Sequence, residues 1–266
     1  MTDGLDGMDG IAPATWGEVD PALLRHVAVV SPHFDDAVMG TGDFLGRHPG
    51  SVVITVFGGR PPAYPDPPKA WDASGGFKSG DDVVGVRREE DRLALAVYDA
   101  EPAWLDFSEH QYLEPEDRPK PAEIAPVLAD AVRSGGFSSV FFPMGLANPD
   151  HDVAHRSGLL ARQQLLDQLP DIGWFCYQDA GYSGLPGMLA WRVRQLFNSG
   201  LWPTPALVPV EPDIERKRRA IWCYTSQIPP LEAEHALTDR LQARAGEQYW
   251  HLAPPPQGWE AMAGVP

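Results

Sequence analysis

Cysteine is scarce. Only Cys176 and Cys223 occur, in the apolar contexts "GWFCYQD" and "AIWCYTS". That argues against a disulfide framework and fits a reducing, cytoplasmic setting. Positive charge is also short: 21 Lys and Arg stand against 37 Asp and Glu, a formal net charge of −16. Nucleic acid and anionic membranes are thereby poor partners, because phosphate binding needs a basic surface. No apolar run approaches about 18 residues, so no membrane-spanning helix is expected. The opening "MTDGLDGMDGIAPATW" has neither the basic nor the apolar stretch of a signal peptide. Nor does G-x-G-x-x-G follow the first apolar run. Two aspartates stand there instead and would repel a pyrophosphate, which weighs against a dinucleotide enzyme.

What is present is an alternation of apolar runs and helical patterns. "HVAVVS" (26–31), "SVVITVF" (51–57), "EPAWLDF" (101–107), "SSVFFPMG" (138–145) and "GWFCYQD" (173–179) read as buried parallel strands. Helical patterns separate them at about residue 34 to 48, at 81–100, 120–136 and 149–169. Beyond 180 a helix at 187–197, a strand near 205–210 and helices at 212–225 and 231–244 are expected. Residues 58–80, crowded with Pro and Gly, lack periodicity and read as a long lid or binding loop. The expected fold is α/β: a Rossmann-like three-layer arrangement with a mostly parallel sheet and a long insertion loop. Residues 1–20 are read as a flexible leader and 21–266 as one domain.

Ligands of such folds sit outside the carboxyl ends of the strands. Every unusual polar cluster falls there: "SPHFDD", the Pro-rich loop, "SEHQY" and "GLANPDH". With a helix starting at about residue 34, His33 and Asp36 share a face and Asp35 points aside. The plainer alternative is that these aspartates, and Asp150 later, merely cap helices. His151 begins the 149–169 helix. His155 lies one turn deeper, where a packed histidine is the simpler reading than a second zinc ligand. His33, Asp36 and His151 would together offer two imidazoles and a carboxylate, a set suited to zinc and also to ferrous iron. Asp35, off the ion, would then stand where a general base is needed.

These residues also carry a resemblance. "SPHFDDAVMG" resembles the PHPDDE-type motif of the PIG-L/LmbE-like zinc N-deacetylases, and "NPDH" resembles their HPDH-type motif. "RREEDRLALAV" resembles that family's R-x-x-E-x-x-x-A helix and "KRRAIWCYTSQ" its K-x-x-A-x-x-x-Y-x-S-Q helix. The similarity runs in order over most of 26–228. It implies a Rossmann-like fold and hydrolytic removal of an acyl group, usually acetyl, from an amine. It also implies His33, Asp36 and His151 as ligands of Zn2+, with Fe2+ or another divalent ion as the alternative, and Asp35 as base. Two positions depart from the pattern. Ala37 stands where the family has Glu. Asn148 stands where many members have a His that stabilises the oxyanion or acts as acid. Asn148 can donate a hydrogen bond to an oxyanion but cannot transfer a proton. Asp35, His110 or Tyr182 would then protonate the leaving amine.

Arg87, in the R-x-x-E helix, is expected to reach substrate or the site's carboxylates, or else to pair with Glu90 or a nearby Asp. Glu109 and His110, after the third strand, are further substrate-binding candidates. Trp71, Tyr64 and Phe77 would stack on substrate or pack within their loop. Tyr224 and Ser226 read as structural, with Gln227 near the pocket. The loop at 58–80 and the segment 180–205 are expected to shape that pocket. The partner implied is a small amino sugar, glycoconjugate or other acylated amine. A homo-oligomer is compatible with the sequence. The competing readings are a metal-binding member with altered catalysis and a Rossmann protein that binds a nucleotide or sugar.

Overall fold

A computed structural model of the chain describes residues 17–182, 184–242 and 246–254. The order of elements is β1 (Val27–Ser31), α1 (Asp36–Arg47), β2 (Val52–Thr55), α2 (Ala70–Ser74), α3 (Val83–Ala96), β3 (Glu101–Trp104), α4 (Pro121–Gly135), β4 (Ser139–Pro143), α5 (Pro149–Leu165), β5 (Gly173–Tyr177), α6 (Met188–Asn198), β6 (Pro203–Ala206), α7 (Ile214–Ile221), α8 (Ile228–His235), α9 (Leu237–Gln242) and β7 (Tyr249–Leu252).

β1, β4 and β5 are buried along their whole length. That is why they read as unbroken apolar runs and form the centre of the sheet. The strand order is β3-β2-β1-β4-β5-β7-β6. Pairing is parallel from β3 to β5, and β7 runs antiparallel to both β5 and β6. Three of the four strand prolines fall on the two edge strands, Pro102 in β3 and Pro203 and Pro205 in β6, where a missing N–H does least harm, and the fourth, Pro143, is the last residue of β4. Successive side chains of β1 point to opposite faces. Val27 and Val29 pack with Phe44, Leu95 and Ile221 of α1, α3 and α7. Ala28 and Val30 pack with Leu128, Val132, Ala161 and Leu165 of α4 and α5. These are the three layers of the expected fold. Order reverses at β1, whose neighbours are β2 on one side and β4 on the other. The crevice between the carboxyl ends of β1 and β4 is therefore the natural ligand site.

Four details differ from the sequence reading. Helix 231–244 is broken into α8 and α9 at Ala236, whose φ of +48° is left-handed and ends α8. β7 was not expected: four residues give too short a pattern to register. The strand near 205–210 lies at 203–206, and the long loop holds the short helix α2. Most of the expected leader, residues 1–16, lies outside the described residues; beyond it Glu18 bridges Leu207. Both cysteines are free thiols. No helix among the described residues is long and apolar enough to cross a membrane.

α3 explains the R-x-x-E pattern. Its buried face carries Arg87, Glu90 and Asp91 among apolar residues, and each meets a partner. Glu90 accepts from the Thr225 hydroxyl at 2.6 Å and from the Ser226 N–H and hydroxyl, each at 2.7 Å. Tyr224 and Ser226 are thus structural, as expected. Asp91, fully buried, accepts from Trp104 Nε1 at 2.7 Å and lies 2.8 Å from Tyr224 Oη, which is also 2.9 Å from the Phe34 carbonyl.

Burial pushes the Asp91 carboxyl up to about 7, against the hydrogen bonds from Trp104 and Tyr224. A protonated Asp91 satisfies every group: it donates to Tyr224, and Tyr224 donates to Phe34. Asp91 keeps a proton in the folded chain that the unfolded chain releases near 3.8. Its contribution to stability is therefore present at acid pH and declines as pH rises from about 4 to about 7. Asparagine reproduces the protonated carboxyl's hydrogen bonds without an ionisation. Asp91→Asn is expected to be somewhat more stable than wild type at pH 5 and more so, by a larger margin, at pH 8. Urea unfolding at both pH values tests this, and an equal difference at the two would refute it.

Candidate active site

The turn after β1 is tied by Ser31, whose hydroxyl donates to the His33 carbonyl and accepts the Ala37 N–H at 2.9 Å. The His33 N–H donates to Asp36 Oδ2 at 2.9 Å. That bond and the start of α1 put the His33 ring over Asp36, with Nδ1 at 3.1 Å from the same oxygen. Asp35 occupies the N-cap position of α1, yet its side chain makes no capping hydrogen bond. Capping does not account for it.

The second half of the site follows β4. Gly145 (φ +75°) and Ala147 (φ +58°) both take left-handed backbone, and Ala147 does so at a steric cost typical of functional loops. Asn148 caps α5: its Oδ1 accepts the Asp150 N–H at 2.8 Å. Asp150, expected as that cap, does something else. Pro149 at the first helical position marks residue 148 as the cap and could have shown this. The Asp150 carboxylate instead lies 3.1 Å from His33 Nε2 and in direct contact with His110 Nδ1.

His151 brings Nε2 to 3.2 Å from Asp36 Oδ2. Ligand-type atoms of His33, Asp36 and His151 all lie within 4.8 Å of one another. Behind His151, the buried Asp179 takes Nδ1 at 2.5 Å and is itself held by the Gly145 and Leu146 N–H groups. A carboxylate fixing the far nitrogen of an imidazole is the usual support of a metal-binding histidine. Asp179 went unread in the sequence, although it sits at the end of the β5 segment, on the same rim as the other clusters.

Burial opposes charge on both histidines, but the Asp36 carboxylate outweighs it. His33 rises to about 9, and His151 rises to about 9 with Asp179 adding. Asp36 is held well below the usual carboxylate range: burial works against this, and the His151 and His33 imidazoles prevail. A cation arriving among the three would displace the imidazole protons. The converging donors and the Asp179 support fit a divalent ion. Asp35 goes the other way. Burial, then the neighbouring Asp36 charge, push it up to about 7. The two adjacent aspartates are thus separated into an anion and a near-neutral acid. His155 is buried, sits 2.8 Å from the Pro143 carbonyl through Nδ1, and is lowered to about 3 by burial. It is a packed histidine, as read.

A cavity of about 240 Å³ opens over this cluster. Its lining includes His33, Asp35, Asp36, Asn148, Asp150 and His151, with Arg87, Glu109 and Tyr182. His110 is not in the lining; it backs Asp150. Arg87 lies 2.8 Å from Asp72, and 3.4 Å from both Glu109 and Tyr112, rather than near Glu90. Of the loop aromatics only Trp71 lines the cavity, and its Nε1 donates to Gln227 Oε1 at 2.7 Å. Tyr64 is held by Asp82 and the Val84 N–H, and Phe77 lies under the Arg87 guanidinium. Among the described residues of 180–205, only Gly181 and Tyr182 line the cavity. The rest of the outer wall is Gln227, which the sequence reading placed near the pocket, with Leu231, Glu234 and His235 of α8, which it did not.

No protein-family model matches the sequence, and no curated protein matches it. Solved structures do match. A zinc-inhibited form of teicoplanin deacetylase Orf2 superposes with a TM-score of 0.67 at 23% identity, covering 88% of this chain and 99% of that one. N,N'-diacetylchitobiose deacetylase from Pyrococcus horikoshii gives 0.50 at 17% identity, over 89% and 85%. The 4-carboxy-2-hydroxymuconate hydratase GalB from Pseudomonas putida gives 0.51 at 16% identity, over 86% and 97%. One architecture thus serves more than one reaction, and the site must decide which. The chain shares the fold of these two deacetylases and of the hydratase.

Proposed function

We propose that the chain is a metal-dependent N-deacetylase of the PIG-L/LmbE kind. It would hydrolyse the acetyl (or other acyl) amide of an N-acylated amino sugar, glycoconjugate or related secondary metabolite. One observation carries the proposal: three ligand-type side chains converge at the β1–β4 crevice beside a carboxyl held near neutrality. His33, Asp36 and His151 would hold the divalent ion, for which zinc suits two imidazoles and a carboxylate and ferrous iron is the alternative. When bound, the ion supplies a Lewis acid for the amide carbonyl and acidity for a water.

The chain's own residues supply the rest. Asp35 takes the proton of the attacking water and, once protonated, passes it to the leaving amine. A carboxyl raised to about 7 suits both steps. Asp179 keeps the His151 Nδ1 side engaged, so that Nε2 faces the ion. Asn148 stands on the oxyanion side. Glu109 offers an acceptor to a sugar hydroxyl, with Arg87 and Gln111 fixing its carboxylate. The supporting likeness is to deacetylases named for teicoplanin and N,N'-diacetylchitobiose.

The test is acetate release from N-acetylglucosamine and N,N'-diacetylchitobiose. One equivalent of zinc is supplied, since the teicoplanin enzyme has a zinc-inhibited form. The protein is expected to bind about one ion per chain, and His151→Ala to lose it. Ion binding with no acetate from any N-acylated sugar would instead mark a metal-binding relative without this activity.

A further inference from the structure

Resting on the deacetylase reading, we infer that the Tyr182 hydroxyl donates the hydrogen bond to the developing oxyanion, and that Asn148 is its positioning residue. The amide of Asn148 is largely committed. Its Oδ1 accepts the Asp150 N–H at 2.8 Å, and its Nδ2 donates to Tyr182 Oη at 3.2 Å. An amide N–H can only donate, so the tyrosine oxygen is the acceptor in that pair. The hydrogen of Tyr182 is therefore turned away from Asn148. Among the described residues none accepts it, and both side chains line the cavity.

The ring of Tyr182 is fixed in place. It stands edge-on to His151, with centroids 5.1 Å apart and planes at 88°, and edge-on to His235 at 5.3 Å and 89°. One contact ties it to an imidazole of the ion site and the other to the outer wall. A donor held this way needs no reorganisation as charge develops, which is what makes an oxyanion donor effective. Burial keeps the phenol protonated, against the Asn148 hydrogen bond.

The step balances without the tyrosine proton. The water oxygen bonds to the amide carbon and its proton passes to Asp35. The carbon–nitrogen bond then breaks and Asp35 returns the proton to nitrogen, giving a free amine and acetic acid, which releases the second water proton to become acetate. Tyr182 keeps its hydrogen throughout. The histidine missing at 148 is thus replaced by a neutral donor from the loop after β5.

The test is Tyr182→Phe in the zinc-loaded protein. Removing one oxyanion donor is expected to lower kcat by roughly 10²- to 10³-fold, with KM little changed. Ion content should stay at wild-type level, and binding of a phosphonamidate analogue of the tetrahedral intermediate should fall in parallel with kcat. Asn148→Ser keeps a capping oxygen but cannot reach Tyr182. It should lower kcat by a smaller factor, and the double variant should be no slower than Tyr182→Phe alone. Turnover of Tyr182→Phe within about threefold of wild type with unchanged analogue binding would overturn the assignment. So would a further loss in the double variant, since Asn148 would then donate by itself. Should wild type release no acetate, the deacetylase reading falls and takes this assignment with it. An active wild type with an equally active Tyr182→Phe removes this assignment alone.

Discussion

Replacing Asp35 with asparagine is expected to lower amide hydrolysis by roughly 10³-fold while the divalent ion stays bound. The side chain keeps its shape, so substrate affinity should change little. What disappears is the group proposed to accept the water proton and return it to the amine. Asp36, one residue on, is pulled below the carboxylate range by two imidazoles, while Asp35 is pushed up to about 7 by burial and by Asp36 itself. Only Asp35 is poised to change protonation during a reaction. The same substitution removes a like-charge neighbour from a buried site and breaks no side-chain cap. Folding stability should therefore be unchanged or higher, the usual exchange between a strained active site and stability. Turnover, ion content by elemental analysis and urea unfolding settle the matter together. Loss of the ion would make Asp35 a ligand, and turnover within tenfold of wild type would remove it as the base.

The convergence of three ligand-type side chains could be read from the chain because each is fixed by local rules. A buried β-branched strand ends, a helix starts, and the residues between lie on the rim where such folds bind ligands. His33, Asp36 and His151 satisfy all three conditions, and so does Asp35. The supporting residues obey no local rule. Asp179 reaches His151 across 28 residues, and nothing near "CYQD" announces the partner. Tyr182 meets Asn148 across 34 residues. The α8 wall is a middle case. Leu231, Glu234 and His235 recur at helical spacing, so one face was legible, but which cavity it faces depends on where α8 packs. Asp150 was misread for a local reason: acidic residues in a first turn suit the helix dipole, and that rule masked the stronger one that Pro149 makes Asn148 the cap.

The Arg87 network carries the largest expected effect on folding. The guanidinium is 1% exposed, and Asp72 beside it is 2% exposed. Glu109 and Tyr112 complete its surroundings, and the Phe77 ring covers it. Two carboxylates thus rely on one buried cation. Arg87→Met preserves much of the volume but strands both. The loss should be about 3 to 5 kcal/mol, the usual range for breaking a buried ion pair from one side. Asp72 belongs to α2 and Glu109 to the segment after β3, so the damage should concentrate where the long insertion meets the cavity. Trp71, next to Asp72, would then be anchored chiefly through Gln227. Adding Asp72→Asn to Arg87→Met removes one stranded charge and should recover part of the loss, because residues sharing one network are not additive. Urea unfolding of wild type, both single variants and the double variant measures the coupling. If Arg87→Met cost under about 1 kcal/mol, or the double variant were simply additive, the arginine would be packing the wall rather than neutralising it. The coupled result would explain why a cavity lined by so many carboxylates is built around an arginine already committed to two of them. The guanidinium holds Asp72 and Glu109 in place so that the cavity wall keeps its shape.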